Sequence, residues 1–228
     1  MRHPPHSFHL LPGYLIVHLL WGSSLANVSP VFKKGDKELV SNYMPISLIC
    51  LLVKALEKLV ARHISFFINS KNLLSDHQFG FHKGSSCISQ SIHLFHSWAS
   101  AIDSGKLTDV VFLDFARVFD SVPHTHFLEK IQYFGIKGNI LHWLSDFLYD
   151  RKQRVAIDGA FSDWGNVSSG VPRGSILGPL LFLLYVNDIP QTLSCSSEMF
   201  ADDTLLYNSD SIEFVSAPVQ QGLNQMDE

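Results

Sequence analysis

The chain has 228 residues, of which 46% are hydrophobic and 12% aromatic, enough to bury the core of one large domain or two small ones. Its formal net charge of −4 argues against a generic basic nucleic-acid coat protein, although a local basic face is compatible with it. The three cysteines have no C-x-x-C spacing, so the sequence predicts neither a disulfide framework nor a zinc knuckle and favours a reducing compartment.

Residues 1–25 differ in composition from the rest of the chain. Their apolar run, residues 8–21, is interrupted by Pro12 and Gly13 and is shorter than the roughly 20 residues of a membrane-spanning helix. A start rich in histidine and proline is also a poor match to the charged beginning of a signal peptide. We therefore expect a leader that does not insert into a membrane, and an intracellular protein (nucleus or cytoplasm) rather than a secreted one.

The first predicted elements are a short strand at residues 28–32, a basic turn, and a segment at residues 43–48 that leads into a helix. Lys33 and Lys34 lie in the turn, where they are either solvated or in contact with phosphate. Apolar residues in the helix recur at 3.6-residue spacing, which predicts a core-facing stripe. The stripe is Leu52, Ala55, Leu56, Leu59, Val60 and His63, with Lys54, Glu57, Lys58 and Arg62 on the other faces.

A second helix is predicted after a loop at residues 72–84, with Ser85 or Ser86 as its N-cap and residues 103–105 as its end. Its core-facing stripe is Ile88, Ile92, Phe95, Ala99 and Ile102. In residues 109–115, four consecutive apolar residues lead to Asp114, which predicts a buried strand that delivers a carboxylate at its end. The alternative is that Asp114 caps the segment that follows it.

Two further helices are predicted at residues 125–134 and 138–149, ahead of a compact basic cluster. Arg151, Lys152 and Arg154 form this cluster. It is either a solvated face or a contact to a nucleic-acid backbone, since three cations within four residues suit phosphate neutralisation. A strand and turn at residues 155–159, with a returning segment at residues 164–168, predict a hairpin.

Residues 170–175 contain two glycines and a proline, and a predicted helix through residues 176–185 follows directly. Backbone amides at such a helix N-terminus suit a phosphate or the close approach of a template. Farther on, Asp202 and Asp203 lie between apolar flanks, which predicts two short strands joined by an acidic bend. Because adjacent carboxylates repel each other, the bend is either a solvated turn or a site for a divalent cation. A last helix is predicted at residues 211–228.

Four segments follow one another in a fixed order: residues 32–36 with 41–48, residues 111–124, residues 169–182, and the Phe-Ala-Asp-Asp of residues 200–203. From Ala26 to about Tyr207, the chain with these segments resembles the reverse transcriptases of non-LTR (LINE-type) retrotransposons. The resemblance implies an α+β fold, a polymerase palm in which helices back an antiparallel sheet, with fingers and without a thumb. It divides the chain into a leader, residues 1–25, and a reverse transcriptase domain of fingers and palm, residues 26–228, and it suggests a fragment of a retroelement reading frame.

The resemblance also implies RNA-directed DNA polymerase activity, which adds deoxynucleotides to a primer 3′-hydroxyl on an RNA template with the help of two Mg²⁺ ions (or Mn²⁺). Asp114 and Asp202 would then be the principal metal ligands, Asp203 the third carboxylate, and the carbonyl of Phe115 a backbone ligand. Magnesium prefers oxygen ligands and keeps several waters, so two or three carboxylates suffice.

The partners implied by the resemblance are an RNA template, a DNA primer and deoxynucleoside triphosphates, with no membrane and no protein partner. Phe119 would pack against the sugar of the nucleotide, Arg173 and Gly174 would line the nucleotide and template, and Lys83 is a retained cation near the triphosphate. The basic residues expected to bind nucleic acid are Lys33, Lys34, Arg151, Lys152 and Arg154.

Some positions depart from the common pattern of that family. Met44 lies where the family usually has Arg, Val118 where it has Ala, and Arg173 where it has Gln. His82 and Ser85 lie in a stretch that usually carries two arginines. Each lost charge-assisted phosphate contact would lower nucleotide affinity about ten- to a hundred-fold. The departures favour an alternative, a catalytically inactive polymerase-derived fragment that at most binds nucleic acid weakly. An RNA-dependent RNA polymerase or an intron-encoded maturase is a more distant alternative.

Overall fold

The computed structural model describes residues 25–82, 84–114, 120 and 122–227, without the side chains of Asp114 and Asp227. The predicted leader up to residue 24 and the predictions for Lys83, Phe115, Val118 and Phe119 lie outside the described residues. The strands are β1 Leu25–Phe32, β2 Tyr43–Leu48, β3 Leu107–Asp114, β4 Lys152–Ile157, β5 Ala160–Phe161, β6 Gly165–Asn166, β7 Ser196–Phe200 and β8 Asp203–Asp210. The helices are α1 Leu51–Lys71, α2 Cys87–Asp103, α3 His124–Tyr133, α4 Asn139–Leu148, α5 Leu177–Val186, α6 Ile189–Thr192 and α7 Ser216–Asp227.

A three-stranded antiparallel sheet in the order β3-β8-β7 carries the predicted acidic bend. Helix α2 packs on it through Leu94 and Trp98, which meet Leu205 and Tyr207 of β8. Because successive side chains of a strand point to opposite faces of the sheet, Leu206 lies on the face opposite to Leu205 and Tyr207. Helix α7 lies near Leu206. The antiparallel sheet backed by helices confirms the α+β, palm-like fold that the resemblance implied.

The second sheet has the order β2-β1-β4-β5, and β6 pairs with the first two residues of β4. β1 and β2 are antiparallel, whereas β1 and β4 are parallel, with Leu25 opposite Lys152. Lys152 and Arg154 of the basic cluster thus lie in a strand that pairs with the first described strand. The hairpin predicted around residues 155–168 is present, because β5 and β6 both pair back antiparallel to β4.

The largest hydrophobic core lies between the helices α1, α3, α4 and α5. Helix α5 is buried around most of its circumference, as expected for a helix whose apolar residues follow one another without a polar face. Its central side chains Leu181, Phe182 and Leu184 are fully buried. None of the helices in the described part of the chain is long and apolar enough to cross a membrane.

The predicted core stripe of α1 is partly wrong. Leu52 and Leu59 are 64% and 54% exposed, while Glu57, expected on a polar face, is fully buried. The buried face consists of Val53, Leu56, Glu57, Val60, Ile64 and Ile68. Leu56 and Val60 belong to both sets, and the prediction lacks Glu57 because a stripe drawn through apolar residues passes over a carboxylate.

The predicted stripe of α2 is wrong as a core contact, although Ser86 does cap the helix. Ile88, Ile92, Phe95 and Ile102 are each 64% exposed or more. The helix has a second apolar stripe, Leu94, Trp98 and Ala101, and that stripe meets the sheet. Spacing alone identifies both stripes and cannot choose between them.

The prediction of a buried strand ending at Asp114 is correct at its end and wrong in its burial. β3 is the edge strand of its sheet, and Phe112 is 77% exposed. A run of apolar residues is typical of a strand covered on both faces, but here one side chain in the run faces outward.

Candidate active site at the aspartate hairpin

β7 and β8 form a hairpin whose loop has only two residues. Phe200 pairs with Asp203, which leaves Ala201 and Asp202 between the strands. Ala201 has a φ of +59°, in the left-handed region that tight hairpin loops require at their first position and for which glycine is preferred. The predicted hairpin is thus confirmed, but its bend lies one residue earlier than predicted, because Asp203 is already the first residue of β8.

The backbone of Asp114 lies directly opposite Asp203 in the β3–β8 ladder. The final residue of β3, the second loop residue and the first residue of β8 are therefore adjacent, although Asp114 lies far from the other two in the sequence. Asp202 is half-buried and Asp203 is exposed and has its own interaction partner. The sheet thus brings the three predicted carboxylate positions to one end of the hairpin.

The described side chains do not by themselves make up a metal site. Among them, and thus without the side chain of Asp114, no group of three His, Cys, Asp or Glu lies close enough together to hold an ion. The chemistry of the positions nevertheless fits a hard cation, because aspartates offer the oxygen ligands that Mg²⁺ prefers.

The segment of residues 77–80 lies along β7 and reaches the hairpin loop. The backbone amide of Phe79 donates to the carbonyl of Met199 at 2.8 Å, and the Met199 amide donates to the carbonyl of His77 at 2.8 Å. Gln78 is 1% exposed and hydrogen-bonds to Ala201. The sequence indicated only a loop here, and the signal that was missed is a glutamine two residues before a glycine, with polar residues ahead of the glutamine and a phenylalanine on each side of the glycine.

The backbone amides at the start of α5 were predicted to be open to a phosphate or a template. In the structure they donate hydrogen bonds within the protein. Ile176 and Leu177 donate to Oε2 of Glu57 at 2.6 and 3.4 Å, and Gly178 donates to Oγ of Ser175 at 2.7 Å. Burial raises the pKa of Glu57, and these two amides and the charge of Arg151 oppose the shift. The prediction of open amides at this turn is therefore wrong for the first turn of α5.

The turn before α5 is fixed by a buried histidine. Nε2 of His124, a side chain that is 3% exposed, lies 2.9 Å from the carbonyl of Gly170. Burial lowers the pKa of His124, and the Gly170 carbonyl partly opposes the shift. The neutral ring donating to Gly170 is the form that this environment favours.

Arg173 is held by Asp120 through a forked contact. Nε of Arg173 lies 3.1 Å from Oδ1 of Asp120, and Nη2 lies 2.9 Å from Oδ2. Gly174, with a φ of +96°, is exposed beside the carbonyl of Ser47. Arg173 and Asp120 also line an open cavity of about 230 Å³, whose other lining residues include Pro45, Ser47, Arg151 and Gln153.

The predicted basic cluster is divided among three environments. Arg151 is 4% exposed, its guanidinium lies 5.2 Å from the ring centre of Phe147, and burial lowers its pKa to about 10. Arg154 is 4.0 Å from the ring centre of Phe161 and 4.6 Å from that of Trp164, and its Nε donates to Asn27. Lys152 is exposed, as are Lys33 and Lys34. A common solvated face for the three cations is therefore ruled out.

Known proteins resemble this chain over most of its length. Residues 31–227 match the family model described as reverse transcriptase (RNA-dependent DNA polymerase). A probable RNA-directed DNA polymerase from transposon X-element of Drosophila melanogaster is 34% identical over 73% of this chain. A probable RNA-directed DNA polymerase from transposon BS of the same species is 29% identical over 89%. The chain spans only 18% and 23% of the length of these two relatives.

Solved structures with the same fold include the apo telomerase of Candida tropicalis, with a TM-score of 0.65 at 11% identity. The match covers 90% of this chain and 46% of the telomerase chain. A Candida albicans telomerase, solved with a fragment of telomeric RNA, matches with a TM-score of 0.63 at 11% identity, over 90% of this chain and 40% of that one. At such identities the likeness establishes the fold, and the family follows from the sequence match. By that match, the chain belongs to the reverse transcriptase (RNA-dependent DNA polymerase) family.

Proposed function

We propose that this chain is an RNA-directed DNA polymerase domain, which transfers deoxynucleotides to a primer 3′-hydroxyl on an RNA template. The observation that carries the proposal is the pairing of Asp114 with Asp203 beside Asp202, in a chain that belongs to the reverse transcriptase family. The relatives named RNA-directed DNA polymerases support the reaction class, although this chain spans only part of their length.

In this proposal Asp114 and Asp202 would be the principal ligands of two divalent ions, with Asp203 as the third carboxylate and the Phe115 carbonyl as a backbone ligand. When bound, two Mg²⁺ ions, or Mn²⁺ in their place, would activate the 3′-hydroxyl and neutralise charge on the triphosphate. The chain's own contribution is to place the carboxylates and the substrates, without a covalent enzyme intermediate.

The substrates in the proposal are an RNA template, a DNA primer and deoxynucleoside triphosphates. Phe119 would pack against the sugar, Lys83 would approach the triphosphate, and the exposed turn at Gly174 would face the nucleotide and template. Lys33, Lys34 and Lys152 are exposed and so available to phosphates, whereas Arg154 and above all Arg151 are held by neighbouring side chains. Among the basic residues, we therefore propose contact with nucleic acid for Lys33, Lys34 and Lys152 before Arg151 and Arg154.

Primer extension on an RNA template in Mg²⁺ tests this function. The full chain should extend the primer, and Asp202→Asn should lower the rate about a hundred-fold or more, because it removes charge from the proposed metal ligand. Asp109→Asn is the matched control, since it changes the same charge on β3 away from the hairpin. Equal extension by the wild type and Asp202→Asn would contradict the proposal.

A second candidate is a polymerase-derived fold without turnover that binds nucleic acid weakly. Two observations favour it: Arg173 is bound to Asp120, and Arg151 is buried against Phe147. Both reduce the positive charge available to phosphates. The candidate predicts binding of an RNA–DNA hybrid that weakens with salt, with no extension above Asp202→Asn. Absence of binding at low ionic strength would eliminate it.

A further inference from the structure

We infer that Gln78 is a positioning residue for the aspartate hairpin, which is formed by β7, the loop residues Ala201 and Asp202, and β8. Its side-chain amide hydrogen-bonds to the backbone of Ala201 and thereby determines where Asp202 and Asp203 lie. The hairpin geometry carries this inference, and only its consequence for metal binding rests on the proposed function. Gln78 would act through the backbone, without touching an ion or substrate.

The amide group of Gln78 is bonded to both polar groups of one loop residue. Oε1 accepts the Ala201 amide at 3.1 Å, and Nε2 donates to the Ala201 carbonyl at 3.4 Å. Oε1 also accepts the Gly80 amide at 2.8 Å. Since Gln78 is 1% exposed and Ala201 is 8% exposed, water is a poor substitute for these bonds.

Ala201 needs such a partner more than an ordinary loop residue does. Its φ of +59° is unfavourable for a residue with a Cβ, and its amide is buried. A side chain that satisfies the amide and the carbonyl together favours this conformation over its alternatives. Asp202 follows Ala201 directly, so the conformation of Ala201 determines the direction in which the chain enters the acidic positions.

The segment that carries Gln78 is itself fixed at both ends. At one end, Oδ1 of Asn187 accepts the Ser75 amide at 2.8 Å and Nδ2 donates to the Leu73 carbonyl at 3.0 Å. At the other end, Gly80 is so close to the loop that a Cβ on it would lie 2.1 Å from the Ala201 nitrogen. The backbone bonds of His77 and Phe79 to Met199 hold Gln78 beside the hairpin, and Asn187 connects the earlier part of the segment to the end of α5.

The hydrogen bonds from Gln78 to Ala201 differ in position from the contacts that stabilise the sheet as a whole. The β7 and β8 strands are already held by their own ladder and by β3. Gln78 adds its bonds at the loop, one residue before Asp202, where the ladder gives no support. Because a displacement of about 1 Å can cost a hundred-fold in rate, a loop contact at this position matters for chemistry more than for overall stability.

The test uses Gln78→Met, which has a similar length and no hydrogen-bonding group, and Asn187→Leu as the matched control. Both variants remove a buried amide side chain that holds the same segment, but only Gln78 touches the loop. Amide hydrogen exchange followed by NMR reports on the loop, Mn²⁺ binding followed by electron paramagnetic resonance reports on the proposed metal site, and thermal melting reports on overall stability.

We expect Gln78→Met to speed exchange of the Ala201 amide at least tenfold while the β8 amides stay protected, and to weaken Mn²⁺ binding about tenfold. Primer extension should lose kcat with little change in the nucleotide KM. Asn187→Leu should lower the melting temperature without changing the exchange of the Ala201 amide or the affinity for Mn²⁺. If Gln78→Met does not fold, Gln78→Glu, which keeps the acceptor for the Ala201 amide and loses the donor, should give intermediate effects.

Unchanged exchange of the Ala201 amide in Gln78→Met, or the same loop effects in Asn187→Leu, would overturn the inference. If the wild type binds no Mn²⁺, the proposed metal site fails, and the exchange experiment still decides whether Gln78 positions the loop. Faster Ala201 exchange together with undiminished Mn²⁺ binding would also overturn it, since Gln78 would then hold the loop without setting the acidic site.

Discussion

Oε2 of Glu57, in the second turn of α1, accepts the backbone amide of Ile176 at 2.6 Å across 119 residues of chain. The same oxygen lies 3.4 Å from the amide of Leu177, so one buried carboxylate caps the start of α5. A negative charge at a helix N-terminus is favourable, and the positive charge of the buried Arg151 also lowers the pKa of Glu57 against the effect of burial. The start of α5 and the turn before it are thereby fixed to α1.

Glu57→Ala should destabilise the fold by about 3–5 kcal/mol. The change leaves two amides of the α5 start without this acceptor and leaves Arg151 buried without its counter-charge. Urea unfolding measures the loss, with the exposed Glu38→Ala as the control. A Glu57→Ala protein as stable as Glu38→Ala would contradict the role of this carboxylate.

Gly80→Ala should disturb the aspartate hairpin. The added Cβ would lie 2.1 Å from the Ala201 nitrogen, a backbone atom that cannot rotate away, so we expect a loss of about 3 kcal/mol. The matched control is Gly165→Ala, whose Cβ would have its nearest neighbour, the Gln153 carbonyl oxygen, at 3.8 Å. Thermal or urea unfolding of both variants provides the comparison. Similar stabilities for the two variants would show that the loop yields without cost.

The forked contact between Arg173 and Asp120 should limit the affinity for triphosphates. Asp120→Asn removes the partner charge, so the Arg173 guanidinium becomes available and the affinity for a deoxynucleoside triphosphate should rise about tenfold at most. Equilibrium binding of a fluorescent deoxynucleotide measures the change. In the Arg173→Gln background, Asp120→Asn should have no such effect. A gain that persists in that background would show that Asp120 acts on another group.

His124 should make the fold sensitive to mild acid. Its pKa in the folded protein is lowered from the ordinary value of 6.5, so its contribution to stability is full above pH 6.5 and is lost as the pH falls through the folded-state pKa. His124→Gln should flatten the decline in unfolding free energy below pH 6.5, by up to about 1.4 kcal/mol per pH unit. Glu57 and Glu198, whose pKa values burial raises, titrate in both proteins and cancel in the difference. Parallel curves for the two proteins would contradict the prediction.

The acidic hairpin could be predicted from the sequence because its signal is local. Apolar flanks around Asp202 and Asp203, and an apolar run ending at Asp114, are enough to place three carboxylates at strand ends. The helix capped by Ser86 is likewise a matter of neighbouring residues. In each case the residues that decide the structure are within a few positions of each other.

The contacts that hold the site could not be predicted in this way. The burial of Glu57 depends on amides more than a hundred residues away, and the choice between the two apolar stripes of α2 depends on the sheet. Gln78 gains its role from a loop 123 residues later. Hydrophobic patterning does not predict such contacts, because it treats a polar residue as exposed unless a distant partner is known.

The central claim is that Asp114 and Asp202 share metal ions, and a crystal structure with Mn²⁺ tests it most directly. Anomalous scattering locates the ions independently of the protein atoms. We expect ions at coordinating distance from carboxylate oxygens of both Asp114 and Asp202. Ions bound to only one of the two aspartates, or to neither at saturating Mn²⁺, would contradict the claim.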